Sequence, residues 1–189
     1  YSILVNEEIK KELSGTQFEG FDAENSFVNS KSKWPTSGRM NPQGITVLYT
    51  ASDVRTAVTE HHPYFGQTFS VATILVKEDL KIADLSTSYS ALDNSFLRYF
   101  SLYIQEWISE GSGEKDYVFP QYISSLCQHL GYDGIGYRSK YATRSDVRNQ
   151  KGINYTIFNY SKCEPIESKL YVASHISVRV EPTATRDNT

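Results

Sequence analysis

GRMNPQGITVLYTASDVRTAVTE, residues 38–60, runs from a glycine turn through an alternating apolar stretch into a capped amphipathic segment. Ile45, Val47 and Tyr49 fall on one side of an extended chain, so a strand is expected over Ile45–Tyr49, closing at Tyr49. Ser52 and Asp53 are short polar residues suited to the free amides at a helix start. Val54, Ala57, Val58 and His61 follow at helical spacing until Pro63 stops the run. Glu60 is thereby placed in the last turn of a short helix, where the macrodipole disfavours a carboxylate. A carboxylate kept at that position hints at a task other than supporting the helix.

Upstream, Asn6 before Glu7 and Glu8, with Ile9 and Leu13 on one face and Gly15 beyond, predicts a short helix. Residues 15–43 have no sustained period and are rich in Ser, Asn, Gly and Pro, which suits a long functional loop. Downstream, Phe69–Val76 reads as a buried strand and Leu80–Leu85 as a second short one. Leu92, Phe96, Tyr99, Phe100, Tyr103 and Trp107 form the strongest helical stripe, and Gly111–Gly113 ends it. Pro120 in a first turn, then Ile123, Leu126, Cys127 and Leu130 with Gly131 beyond, predict another helix. Strands are expected at Gly134–Tyr137, Ile153–Phe158 and Leu170–Val180, and a frayed tail from Pro182.

Strands and helices are thus interspersed without an internal repeat, and the fold class is α+β. At 189 residues the chain supports one core, so a single domain is expected over residues 1–181 with a flexible tail at 182–189. A net charge of -3 and a pI near 5.8 give no global attraction to a nucleic-acid backbone. No apolar run reaches the roughly 18 residues that argue for a transmembrane helix, and no basic-then-apolar leader opens the sequence. A cytoplasmic protein binding neither nucleic acid nor membrane is the expectation. Cys127 and Cys163 have neither the number nor the spacing of a metal site or disulfide framework, so both are read as reduced thiols without chemistry.

Four polar residues stand out as a possible constellation: Arg39 at the glycine turn, Tyr49 at a strand end, Glu60 late in a helix and Ser139 after a later strand. Each has a plainer explanation. Arg39 can pair with Asp22 or Glu24, Tyr49 can fill core, Glu60 can solvate a helix end and Ser139 can cap a turn. His61 and His62 are adjacent on a helix and point apart, which argues against a metal-ligand pair. The stretch with Arg138, Lys140, Arg144, Arg148 and Lys151 against Asp146 suits a solvated loop, or a holder of phosphates or of an acidic partner. Gly134-Ile135-Gly136 lacks the third glycine of a dinucleotide fingerprint and carries little weight.

GRMNPQGITVLYTASDVRTAVTEHHP, followed by SVATILVKEDLKIADLS, FPQYISSLCQHLGYDGIGYRS and GINYTIF, resembles the RES-domain family, named for an Arg, a Glu and a Ser. The resemblance runs from about Gly20 to Phe158 and implies an ADP-ribosyltransferase-like split β-sheet sandwich with flanking helices. It implies consumption of NAD⁺ as substrate, with no cofactor and no metal, by a toxin or phage-defence effector. An antitoxin or a fused regulatory domain is the implied partner. Arg39 matches the Arg of the glycine-turn motif, Tyr49 the Tyr of LYTA, Glu60 the family Glu and Ser139 the Ser after DGIGY. On the same resemblance Gly38, Asn41, Gly44, Ser52, Tyr137, Arg138 and Asn154 are expected to line the substrate. Many members carry a further Arg in an aromatic–Arg pair near the domain start. Phe18-Glu19-Gly20-Phe21 occupies that region without one, so it is expected upstream of Tyr1 or replaced by another residue.

The chemistry of NAD⁺ suits these residue types. Nicotinamide leaves as a neutral ring and needs no proton, so one carboxylate, here Glu60, is enough to stabilise the developing ribosyl cation. A guanidinium such as Arg39 offers the pyrophosphate a directional fork, and the Tyr49 ring offers a face to the cationic nicotinamide. Ser139 would add a hydrogen bond to a ribose or phosphate oxygen. Glycohydrolase or phosphorylase activity is the leading expectation. Protein ADP-ribosyl transfer, a metal-independent ribonuclease toxin and a catalytically inactive nucleotide-binding module are the alternatives.

Overall fold

The computed structural model describes residues 20–28, 35–86 and 117–176. The expected helix at 6–13, the aromatic stripe at 92–107, the end of the last expected strand and the tail lie outside these residues. The elements in chain order are β1 (Leu48–Ala51), α1 (Val54–Thr59), β2 (Thr68–Val76), β3 (Ile82–Asp84), α2 (Val118–His129), β4 (Gly134–Arg138), α3 (Arg144–Arg148), β5 (Ile153–Ile157) and β6 (Cys163–Val172). A single turn of 3-10 helix at Tyr160–Lys162 precedes β6. The fold is mixed α+β.

Two sheets form. One has the order β1-β5-β4-β3, antiparallel except for the parallel β3–β4 pair; the other is the antiparallel ribbon β2-β6. The register sorts side chains by face, because neighbours directly opposite one another project to the same side. Tyr49, Thr156 and Ile135 share one face with Ala51, Asn154 and Tyr137; Leu48, Ile157 and Ile82 share the other with Tyr155. On the first face Ile135 and Tyr137 pack against Met40 and against Ile123 and Cys127 of α2. On the second, Leu48 and Ile157 pack against Cys163 and Ile74 of the ribbon. Burying each such large apolar side chain contributes about 1.5–3 kcal/mol.

Several boundaries differ from the sequence expectation, each for a physical reason. The first strand is Leu48–Ala51 rather than Ile45–Tyr49, because its partner β5 ends at Ile157, opposite Leu48. Ile45 instead closes a turn by donating its N–H to the Pro42 carbonyl, and its side chain is exposed. The strand expected to be buried at Phe69–Val76 exists but is half-open, with Leu75 and Val76 exposed, since the ribbon has only two strands. The second short strand is trimmed to Ile82–Asp84. The last strand begins at Cys163, seven residues before the expected Leu170. Pro165 conceals it in the sequence, yet fits because a register irregularity falls between Thr73 and Ile74, the residue it faces.

The expected helix after Tyr117 is present, with Pro120 in its first turn, but Leu126 and Leu130 are exposed while Ile123, Ser124 and Cys127 are buried. The basic stretch contains α3, which the sequence reading missed. Its start is a capping box in which the Thr143 hydroxyl accepts from Asp146 N–H and the Asp146 carboxylate accepts from Thr143 N–H. Gly134 and Gly136 are explained by packing rather than by a nucleotide. A Cβ at Gly134 would stand 2.7 Å from the Thr156 carbonyl oxygen, and one at Gly136 3.0 Å from the Tyr155 ring. Cys127 and Cys163 are free and buried, and burial pushes both thiols up from their ordinary pKa.

Candidate functional site

Glu60 is the C-cap of α1, one residue beyond the last helical turn, and its backbone N–H still bonds back to Thr56. The helix start is strongly specified. Asp53 accepts from Thr56 N–H and Thr56 Oγ at the N-cap, and also from Ser52 Oγ and Gly152 N–H. Burial alone pushes the Asp53 carboxyl up, but the hydrogen bonds from Thr56, Gly152 and Ser52 outweigh it and hold the group below its ordinary pKa. A helix of six residues fastened at its first turn delivers Glu60 to a fixed place.

There Glu60 Oε1 accepts two hydrogen bonds, from Ser139 Oγ at 2.5 Å and from Asn154 Nδ2 at 2.8 Å. Oε2 has no hydrogen-bond partner among the described residues. Ser139 is 3% exposed and engaged on both sides, since its oxygen also accepts from Tyr141 N–H. Asn154 is buried on β5, on the same face as Tyr137 of β4.

A second group forms around the glycine turn. Gly38 and Asn41 exchange both backbone hydrogen bonds, and Tyr49 Oη accepts from Met40 N–H at 3.0 Å while donating to Asn41 Oδ1 at 2.7 Å. Both hydrogens on Asn41 Nδ2 are also engaged, by the carbonyls of Thr36, Pro42 and Ile45. Asn41 therefore braces the turn from within. Tyr49 is 40% exposed, yet burial is the main force that pushes its pKa above the ordinary tyrosine value. Both hold together because the hydroxyl is sunk under the turn while part of the ring is open. Tyr137, Arg39 and Tyr117 act electrostatically on that hydroxyl to a smaller degree, and Arg39 follows Gly38 in the turn that Tyr49 braces.

The structure thus joins Glu60, Ser139 and Asn154 in one cluster, and Gly38, Asn41 and Tyr49, with Arg39 in the same turn, in another. Tyr49, Tyr137 and Asn154 share a sheet face. Ser52 and Arg138 are not brought to that face. Arg138 lies opposite Ile153 in the register, and its guanidinium donates to the carbonyls of Ser86 and Lys151. Ser52 is engaged with Asp53 and with Ile153 N–H. Gly44 adopts a positive φ of 85°, turning the chain toward β1, and nothing lies within 4 Å of a Cβ built there.

A cleft of about 620 Å³ opens between the sheets, lined by Thr50, Ser52, Tyr155, Thr73 and Lys169 among others. It borders the face opposite Asn154 and Tyr137, so the cleft and the Glu60 cluster are distinct places, with Tyr49 reaching the cleft lining. The local chemistry of Glu60 locates the candidate site better than the size of this opening, because an oriented carboxylate with one oxygen unpartnered among the described residues suits chemistry and cleft volume alone does not.

Three contacts escaped the sequence reading. Gln121 Nε2 donates to the carbonyls of Gly38 and Asn41 and to Ser37 Oγ. Tyr141 Oη bonds His62 Nδ1 at 2.9 Å, and Arg55 pairs with Asp146 at 2.7 Å. The capping box at Thr143 was a readable signal for the last of these; nothing in the sequence pointed to the other two. Among the described residues no group of three or more His, Cys, Asp or Glu is placed to hold a metal, and no helix is long and apolar enough to cross a membrane.

The model of the RES domain matches residues 17–179, a span that contains every described strand and helix. The chain belongs to the RES-domain family. No curated protein and no solved structure matches it significantly. Glu60 and Ser139, two of the residues expected from the sequence to form the site, are in direct contact in this RES domain.

Proposed function

We propose that this RES domain consumes NAD⁺ by breaking the bond between nicotinamide and the ribose C1′. The carrying observation is the Glu60 carboxylate, fixed through Oε1 by Ser139 and Asn154 and without a hydrogen-bond partner at Oε2 among the described residues. As the C1′–N bond breaks, its electron pair goes to the nicotinamide nitrogen and the ring leaves neutral. Positive charge builds on the ribose, where a preoriented carboxylate stabilises it without needing to reorganise. Water then adds at C1′ with loss of a proton, or inorganic phosphate adds through an oxygen, so the enzyme is a glycohydrolase or a phosphorylase. A protein side chain as acceptor would make it an ADP-ribosyltransferase.

In this reading Arg39 holds the pyrophosphate, the open part of the Tyr49 ring faces the nicotinamide, and Ser139 and Asn154 aim Glu60. The same reading takes the fold as an ADP-ribosyltransferase-like split sandwich, and the presence of two separate sheets supports it. NAD⁺ loss would arrest growth, which suits a cytoplasmic toxin or defence effector restrained by an antitoxin or a fused regulatory domain. Incubation with NAD⁺, following nicotinamide release with and without phosphate, is the test. We expect release by the wild type, none from Glu60→Gln despite retained NAD⁺ binding, and weakened binding in Arg39→Ala. No release from the full-length chain would sink the reading, and Glu60→Gln losing binding while Arg39→Ala keeps it would mean the two roles are exchanged.

A further inference from the structure

We infer that Gln121 is a positioning residue for the Arg39 turn, holding it in the form that receives the dinucleotide. This rests on the NAD⁺ reading for its consequence but not for its geometry. One nitrogen, Nε2, reaches the Gly38 carbonyl at 2.8 Å, the Asn41 carbonyl at 3.1 Å and Ser37 Oγ at 3.1 Å. These acceptors bracket Arg39 and Met40, so the amide closes the turn from the α2 side while Tyr49 Oη closes it from the β1 side through Met40 N–H. Gln121 stands in the second turn of a twelve-residue helix whose buried residues Ile123 and Cys127 anchor it to the β4 face. The helix is therefore a rigid mount, and the amide transmits its position to the residue before Arg39 and to the second residue after it.

The side-chain chemistry is specific. Two carbonyls and a hydroxyl oxygen converge on one point, and only a donor satisfies them. A carboxylate of the same shape would present lone pairs to lone pairs, and a thioether would leave the two carbonyls only the backbone N–H that each accepts from the other's residue. Neither change alters an apolar contact of the core. An effect confined to the turn is therefore expected, and through Arg39 an effect on binding rather than on bond breaking.

The test uses Gln121→Glu and Gln121→Met, with Ser125→Ala as control, since the Ser125 hydroxyl caps the Gln121 carbonyl and leaves the side-chain amide alone. Amide exchange in the ligand-free protein should quicken about tenfold at Met40 and Asn41 in both Gln121 variants, as expected for loss of a typical hydrogen bond. It should stay unchanged there in the control and across β4 and β5 in all three. In the NAD⁺ assay KM should rise about tenfold with kcat within about twofold, the pattern of lost uniform binding. Unchanged exchange at Met40 and Asn41, or quickening spread equally over β4 and β5, overturns the positioning role. A kcat loss without a KM change overturns its link to binding. If the wild type releases no nicotinamide, the exchange measurement still decides whether the clamp exists, while the NAD⁺ reading fails by itself.

Discussion

The Ser139 hydroxyl donates to Oε1 of Glu60 at 2.5 Å, across 79 positions of sequence. Removing it should free the carboxylate to swing without opening the binding surface. For Ser139→Ala we expect kcat to fall roughly 10- to 100-fold with KM little changed, because small displacements of an oriented group are costly to rate. Steady-state kinetics of nicotinamide release provide the measurement, and a pure KM effect would move Ser139 into substrate contact.

Asn154→Asp replaces a donor to Glu60 with a second carboxylate at the same place. Like charges in contact raise the pKa of one of the pair. Since Glu60 works ionised in the proposed mechanism, the variant should lose activity at pH values where the wild type retains it, and recover it as pH rises. The acid limb of the kcat profile should move up by about one unit or more. A limb that stays in place would show that the two groups are not coupled.

Gly38→Ala tests the glycine turn. Its Cβ would stand 2.5 Å from Asn41 Oδ1 and 2.8 Å from the Tyr49 hydroxyl, pressed against the side of the hydrogen bond that joins them. Forcing an atom into a packed site costs about 1–3 kcal/mol. Urea unfolding should report a loss of that size, together with weakened NAD⁺ binding; a variant as stable as the wild type would show that the turn yields freely.

Acid should loosen the α3 region. Hydrogen bonds from the Thr143 side chain and backbone, helped by Arg55, hold the Asp146 carboxyl down to about 2 from an ordinary 3.8. A group with a depressed folded pKa stabilises fully above its unfolded value and loses that contribution as pH falls through the folded one. Amide exchange in residues 143–151 should therefore rise as pH drops from about 4 toward about 2, after correction for intrinsic rates. Asp146→Asn should abolish the pH step, and a step that persists in it would assign the effect elsewhere.

Local signals in the sequence were sufficient where the structure is local. Ser52 and Asp53 announce α1, of which Asp53 is the N-cap, Pro120 and Gly131 bracket α2, and both predictions survive because cap and stop chemistry acts within a few residues. The resemblance in sequence also led to Arg39, Tyr49, Glu60 and Ser139 as candidates, of which Glu60 and Ser139 meet. What could not be read was pairing at a distance. The limits of β1 depend on where β5 ends, the length of β6 on the ribbon partner, and the engagement of Arg138 on the carbonyls of Ser86 and Lys151. Gln121 escaped for the same reason, since its acceptors lie 80 to 84 positions away.

The place of β5 between β1 and β4 governs when the site can first exist. During synthesis the chain emerges from its N-terminal end, so Glu60 and Tyr49 are made long before the strand that pairs with β1 and supplies Asn154. Until Ile153–Ile157 has left the ribosome, β1 and β4 each lack their central neighbour and Glu60 lacks one of its two donors. A nascent or prematurely terminated chain therefore carries Glu60 in an unassembled state, and the cluster is completed late, in one step with closure of the sheet.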